Sequence, residues 1–320
     1  MENIWKQINK LLKEQYGLEA AVIKPMTTGV GGETLLIDTN GGKYVFKLAD
    51  TNEMNRPEME PEICSFLLRN RIAVSKFFKS KSGNYLVIAK DGRCGHLQSF
   101  IEGDVFFMHK APEWFMEQSA LLLGNIHNTL CNYPDLPVGI GKEFFYYMTI
   151  KNARQSYQKS LATALQRNDE KIIEDLEFRI RLTENFPEME FDLEKLTYRN
   201  THGDYTVNQI ICDDKEIKAV VDWTCACRHP VIWELTRSFF YAAPSCRDGE
   251  LDEEKFKEYV KAYCSIAPLS EYDREQLLRF YYYQLAVCDY YSQYLKADES
   301  KKEEFLTQAR FATNVLRKNT

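Results

Sequence analysis

Asp204 and Asp222 sit eighteen positions apart in "HGDYTVNQIICDDKEIKAVVDW", His202 to Trp223, in settings that point to chemistry. Asp204 follows a His-Gly pair, and Asp222 ends the apolar run Ala219-Val220-Val221. Between them "QIIC" and "KAVVDW" are short β-branched runs joined by the polar "DDKEI", a hairpin pattern. A hairpin sets its two ends side by side, so both carboxylates are expected on one side of a cleft. A carboxylate at the end of an apolar strand is costly to bury unless something positive meets it. A divalent cation serves that need: magnesium takes oxygen ligands, commonly one or two carboxylates plus phosphates. A carboxamide just upstream, in the pair Asn208-Gln209, adds another oxygen. Asp204 is then left to accept a proton from a hydroxyl. Phosphoryl transfer divides its labour this way, with one carboxylate deprotonating the nucleophile and metal-bound oxygens neutralising phosphate charge. One such Asp alone is usually a turn or strand cap; the ensemble argues for chemistry.

That chemistry requires a loop over the phosphates and a lysine on a following strand, and both occur in order. "TTGVGGET" (Thr27–Thr34) joins two strand-like runs, and Gly29, Gly31 and Gly32 let backbone N–H groups approach phosphate oxygens. Glycine turns are common, so this loop means little without its neighbours. Lys47 follows in the apolar run "YVFKLA", where a lysine needs an anionic partner unless it snorkels from a sheet edge. The α- and β-phosphates of a nucleotide suit it, with a helix carboxylate to hold it. Glu60 shares a helix face with Ile63, Cys64 and Leu67 and is preferred to Glu58 or Glu62, although Pro61 disturbs the helix start.

The elements that must position these groups change character along the chain. Residues 3–15 read as an amphipathic helix with Ile4, Ile8, Leu11 and Leu12 on one face. "AAVIKPM", "TLLID" and "KYVFKLA" read as strands separated by glycine-rich turns, and a helix follows at about 60–70. "YLVIAK" and "HLQSFIEG" flank "DGRCG" as another hairpin. Past Gly103 helical patterns dominate, at 113–130, about 146–185, 252–266, 271–296 and 300–317. A small β-rich lobe, residues 1–102, is therefore expected before a larger helical lobe, residues 103–320.

The bulk properties fit an enzyme of this kind. The chain has 320 residues, 44% of them hydrophobic and 28% charged, ample for one large domain or two lobes. The net charge of −6 argues against nucleic acid as the main partner. No apolar run approaches the roughly 20 residues of a membrane helix, and the first residues lack a secretory pattern. Nine scattered cysteines read as reduced thiols of a cytoplasmic protein. Cys225, Cys227 and His229 lack the second pair that a zinc site needs.

These residues resemble the aminoglycoside phosphotransferase/choline kinase family, over most of the chain. The resemblance rests on "HGDYTVNQIIC…VVDW", "TTGVGGET", Lys47, "QSFIEG", "LLLGNIH" (Leu121–His127) and "RHPVIWEL". It implies an α+β, two-lobed, protein-kinase-like fold. It implies an ATP- and Mg2+-dependent kinase acting on a hydroxyl of a small molecule: an aminoglycoside, a choline-like amine, an amino alcohol or a sugar. Asp204 is its implied catalytic base and Asp222 a metal ligand, with adenine held by backbone groups at about Ser99 to Ile101. The family's asparagine falls on Gln209, with Asn208 one residue early, so either carboxamide is a candidate metal ligand. Thr206 stands where the family has His, Glu234 where it often has Asp, and His229 replaces a loop Asp. A nucleotide-binding regulatory pseudokinase without turnover is the alternative. A protein kinase is disfavoured, because its His-Arg-Asp, Asp-Phe-Gly and Ala-Pro-Glu set is missing.

The acceptor is not named by the sequence. Phe280, Tyr283, Val287, Tyr290 and Tyr294 form one stripe, which reads as core, or as a wall for a sugar or quaternary amine. The acidic stretch at 248–259 reads as a solvated helix start. "FFYAAPSC" (239–246) is a candidate lining segment.

Overall fold

The structure is a computed structural model and describes residues 2–26, 33–49, 58–139, 148–186 and 191–319. These divide into two compact units. The first comprises the chain up to Val105 together with Gln209–Ala226, and the second comprises Phe106–Asn208 and Cys227–Thr320. Among the described residues no helix is long and apolar enough to cross a membrane.

The first unit is built on one antiparallel sheet. Its strands are β1 (Ala20–Pro25), β2 (Glu33–Thr39), β3 (Gly42–Ala49), β4 (Phe77–Phe78), β5 (Leu86–Ile88) and β6 (Cys94–Ser99), in the order β1-β2-β3-β6-β4, with β5 also on β6. Period-2 alternation sorts β3 onto two faces. Phe46 and Leu48 enter the apolar core with Leu35, Ile37, Val87 and Leu97, sealed by Ile8 and Leu12 of α1 (Glu2–Tyr16). Gly95 makes room for them: a Cβ there would lie 2.7 Å from Phe46 and 2.9 Å from Leu48. The helix α2 is Met59–Arg69.

Residues 209–226, which sequence order groups with the later helices, pack in the first unit. They form the hairpin of β8 (Ile210–Cys212) and β9 (Ile217–Val220). Val220 N–H donates to Ala73 (3.1 Å), while Asp104 and Cys212 exchange backbone bonds at 2.9 and 2.8 Å. Such pairings over more than 100 residues leave no local trace in sequence.

The second unit is mostly helical: α3 (Glu113–Leu130), α4 (Ile150–Arg167), α5 (Glu170–Asn185), α6 (Val231–Ala242), α7 (Glu253–Cys264), α8 (Glu271–Val287), α9 (Tyr290–Lys296) and α10 (Glu299–Asn319). The short strands β7 (Tyr198–Thr201) and β10 (Cys227–Pro230) pair antiparallel. α3 buries Phe115, Ala120, Leu123, Ile126, His127 and Leu130, the spacing of one helix face.

Two expected long helices are each broken, one by a left-handed backbone position and the other by a capping side chain. The pattern at about 146–185 is interrupted at Asn168, whose left-handed conformation (φ 52°) caps α4. The pattern at 271–296 breaks at Cys288-Asp289. Asp289 accepts the Ser292 N–H (3.0 Å) and the Ser156 and Ser160 hydroxyls (2.6 and 2.9 Å), starting α9 afresh. Buried Arg179 donates to the freed carbonyls of Leu285 and Cys288. The tyrosine stripe therefore belongs to two helices, and its five members are core residues, each at most 8% exposed.

Candidate active site

In the first unit the alternation that sends Phe46 and Leu48 into the apolar core turns Lys47 to the opposite face of the sheet. There its Nζ donates to Asp222 Oδ1 at 2.7 Å. Burial works against the charge of Lys47, but Glu60 and Asp222 outweigh it and raise its pKa. The direct partner of Lys47 is thus Asp222, while Glu60 acts on it through charge. Glu60, on the buried side of α2 with Ile63, Cys64 and Leu67, accepts the Trp223 N–H at 3.0 Å through Oε1. Its Oε2 is buried without a hydrogen-bond partner among the described residues. Burial pushes the Glu60 carboxyl up to about 7; Lys47 pulls against this and Asp222 adds to it.

His96 is paired with Lys47 across β3 and β6 and is fully buried. Its Nε2 is bonded to the Gln98 amide at 3.0 Å and lies 3.8 Å from Glu60 Oε2. Burial, helped by the charge of Lys47, lowers its pKa to about 3. His96 is therefore neutral, and its approach to Glu60 is a polar contact, not an ion pair. Asp222 itself has φ +61°, a left-handed conformation a non-glycine residue adopts at some cost. That turn lets Asp222 Oδ1 receive the Thr224 hydroxyl (2.7 Å) as well as Lys47. Gln209 lies beside this turn in backbone terms, its carbonyl accepting the Val221 N–H at 2.9 Å.

In the second unit Asp204 lies in the loop after β7. Its Oδ1 accepts from Arg237 Nη2 at 2.9 Å, and its N–H donates to His202 Nδ1 at 3.2 Å. The loop is held from below by Glu234 on α6. Glu234 Oε1 accepts the Tyr205 N–H (3.1 Å) and Oε2 is bonded to His127 Nε2 (2.8 Å), whose Nδ1 meets the Tyr263 hydroxyl (2.8 Å). Burial alone would raise the Glu234 carboxyl. The His127 hydrogen bond, with charge from His127, His229 and His202, overrides it and holds the pKa at about 2. Asn208 is engaged within this unit: its Oδ1 accepts the Thr206 hydroxyl (2.5 Å) and its amide donates to Glu304 (3.2 Å).

Lys47, Glu60 and Asp222 are thus brought together in the first unit, and the Gln209 backbone is tied to the residue before Asp222 through the Val221 bond. Ser99 closes β6, and both its N–H and its hydroxyl are bonded to the Lys76 backbone, at 2.8 and 3.0 Å. Ile101 follows, half-buried, in irregular chain. Gly29, Gly31 and Gly32 lie outside the described residues. Among the described residues no group of three or more His, Cys, Asp and Glu could hold a metal, and none of the nine cysteines forms a disulfide.

Three residues of these clusters, Arg237, His96 and Gln98, had no individual reading in the sequence. Arg237 looks like an ordinary surface charge on α6, yet Trp233, Arg237 and Tyr241 recur every four residues, an arginine within an aromatic stripe. His96 and Gln98 flank Leu97, the alternation of a strand whose second face is polar.

Comparison with known proteins agrees with this architecture. The model of the phosphotransferase enzyme family matches residues 22–278, well over half of the chain. No curated protein matches the sequence. Among solved structures, amicoumacin kinase, in complex with AMP-PNP, Ca2+ and Ami, superposes with a TM-score of 0.65 at 12% identity, covering 98% of this chain and 95% of its own. A microcompartment-associated aminopropanol kinase gives 0.64 at 11% identity, covering 97% and 95%. Spectinomycin phosphotransferase, in complex with ADP and its antibiotic, gives 0.59 at 14% identity, covering 97% and 96%. At these identities the likeness establishes a shared kinase-like fold: a small antiparallel-sheet lobe and a mostly helical lobe. The match of the family model over most of the sequence goes further, and the chain belongs to the phosphotransferase enzyme family.

Proposed function

We propose that this protein transfers the γ-phosphoryl group of ATP, with Mg2+, to a hydroxyl of a small molecule in the cytoplasm. The observation that carries the reading is the buried Lys47–Asp222 pair at 2.7 Å, with Glu60 acting on the same lysine. A buried cation beside two carboxylates suits a site that takes up phosphate and a divalent metal together. Lys47 would hold the α- and β-phosphates and Glu60 would keep it charged.

The donor set fits Mg2+. Asp222 and Gln209 offer hard oxygen atoms, and a few protein oxygens are what this ion uses when phosphates complete its shell. Asn208 is the weaker candidate, since its oxygen already accepts from Thr206. When bound, the ion would supply charge neutralisation at the phosphates. Asp204, its carboxylate one third exposed, would take the proton of the acceptor hydroxyl. Backbone groups from Ser99 to Ile101 would hold adenine, and Gly29, Gly31 and Gly32 would cover the phosphates. Neighbours named for amicoumacin, spectinomycin and aminopropanol support an acceptor among aminoglycosides, choline-like amines, amino alcohols and sugars.

The test is ADP release from MgATP across a panel of such hydroxyl compounds. At least one acceptor should stimulate release, and Asp204→Ala should lower turnover about 10³-fold or more while nucleotide affinity is kept. Nucleotide binding with no turnover on any acceptor would replace this reading with that of a regulatory nucleotide-binding module.

A further inference from the structure

We propose that Arg237 is a positioning residue of the transfer step, holding one oxygen of Asp204 so that the other faces the acceptor hydroxyl. The proposal rests on the reading of Asp204 as the base. Arg237 Nη2 lies 2.9 Å from Asp204 Oδ1. Its guanidinium is clamped along α6, 5.6 Å from the ring centre of Trp233, one turn before, and 5.4 Å from that of Tyr241, one turn after. The side chain is 13% exposed and its Nε is buried without a partner among the described residues; stacking, Tyr241 and this carboxylate fix the arginine. Burial opposes its charge, and Asp204 together with Tyr241 and Tyr290 outweighs that opposition.

The loop does not need Arg237 to keep its shape. Its backbone is held by Glu234 on the Tyr205 N–H and by His202 on the Asp204 N–H, and the Tyr205 hydroxyl reaches the Ser119 carbonyl at 3.0 Å. The Arg237 contact falls on the reactive carboxylate itself. A partly exposed ion pair of this kind contributes little net stability, which leaves orientation as its use here. Glu304 of α10 is a second acid near Asp204, and burial followed by the charge of Asp204 raises its carboxyl, with Lys301 pulling the other way. Arg237 therefore also offsets the repulsion between these two acids.

The experiment uses the full chain with MgATP and the acceptor giving most ADP release in the panel above. Arg237→Met should lower kcat about 10²-fold, the scale of a misplaced reacting group, with acceptor KM changed less than about 3-fold and nucleotide affinity unchanged. Introduced into Asp204→Asn, the same change should cost less than about 3-fold, because no base remains to be aimed. Arg237→Lys, which keeps the charge but not the planar fork, should fall between wild type and Arg237→Met. It carries the test if the methionine variant does not fold, with kcat then reduced about 10-fold at unchanged KM. A folded variant that keeps wild-type kcat, or that multiplies its full loss onto Asp204→Asn, overturns the proposal alone. A wild-type chain that turns over no acceptor overturns the function reading and this proposal with it.

Discussion

Glu60 in the first unit and Glu234 in the second are the same residue type, equally buried, and they are driven in opposite directions. Glu60 is 4% exposed and is pushed up to about 7; Glu234 is 1% exposed and is held at about 2. Burial is the first influence on both, so burial does not decide the outcome. The hydrogen-bond donors do. Glu234 has a donor on each oxygen, from Tyr205 and from His127. Among the described residues Glu60 has one, from Trp223, and it shares the charge of Lys47 with Asp222. A satisfied carboxylate is a fastening; an under-satisfied one beside a shared cation is a place where further positive charge is welcome.

The largest expected effect tests the fastening. Glu234→Ala strands His127 Nε2 and the Tyr205 N–H in the interior and should cost about 3–5 kcal/mol in urea unfolding. A loss under about 1 kcal/mol would remove the distinction between the two glutamates. Next is Lys47→Met, which leaves Glu60 and Asp222 facing one another. It should destabilise by about 3 kcal/mol at pH 8 and by clearly less at pH 5, where Glu60 is protonated. Equal losses at both pH values would contradict the raised Glu60 carboxyl.

The pH dependence sharpens the contrast. Because the folded pKa of Glu60 is raised, its contribution is fully present below about 4.5 and is lost as pH rises through about 7. Wild type should lose on the order of 2–3 kcal/mol relative to Glu60→Gln between pH 4.5 and 8, read from paired unfolding curves. Glu234 has the opposite sign: its contribution is full above about 4.5 and disappears as pH falls through about 2. The smallest effect belongs to Thr224→Val, which removes an exposed hydroxyl from Asp222 Oδ1 and should cost under about 1 kcal/mol. A larger loss would mean that the left-handed turn at Asp222 depends on that bond.

Local chemistry was legible in the sequence where type and spacing suffice. Lys47 stood out as a cation in an apolar strand, Glu60 by its place on a helix face, and Asp204 and Asp222 by the hairpin between them. What escaped depends on which surfaces meet. Nothing local says that β9 pairs beside Ala73, or that residues 209–226 fold with the first sheet. Asp289 and Asn168 are visible as residues, but the hydrophobic period runs straight through both. Ser156, Ser160 and Arg179, which make the Asp289 break favourable, are more than 100 residues away. Arg237 was hidden for the same reason, since its partner lies 33 positions earlier on a loop.

Gly103 carries no reactive group, yet at φ +142° a Cβ there would stand 2.5 Å from the Cys212 carbonyl oxygen and 2.8 Å from Ile211. Even alanine would have to lever β8 aside. Because β8 begins at Ile210 and β9 leads into Asp222, that displacement would travel down the hairpin to both proposed oxygen donors at once. An inert position thereby acts as the gauge that sets their spacing, and its replacement should read in an assay like damage to the metal site itself.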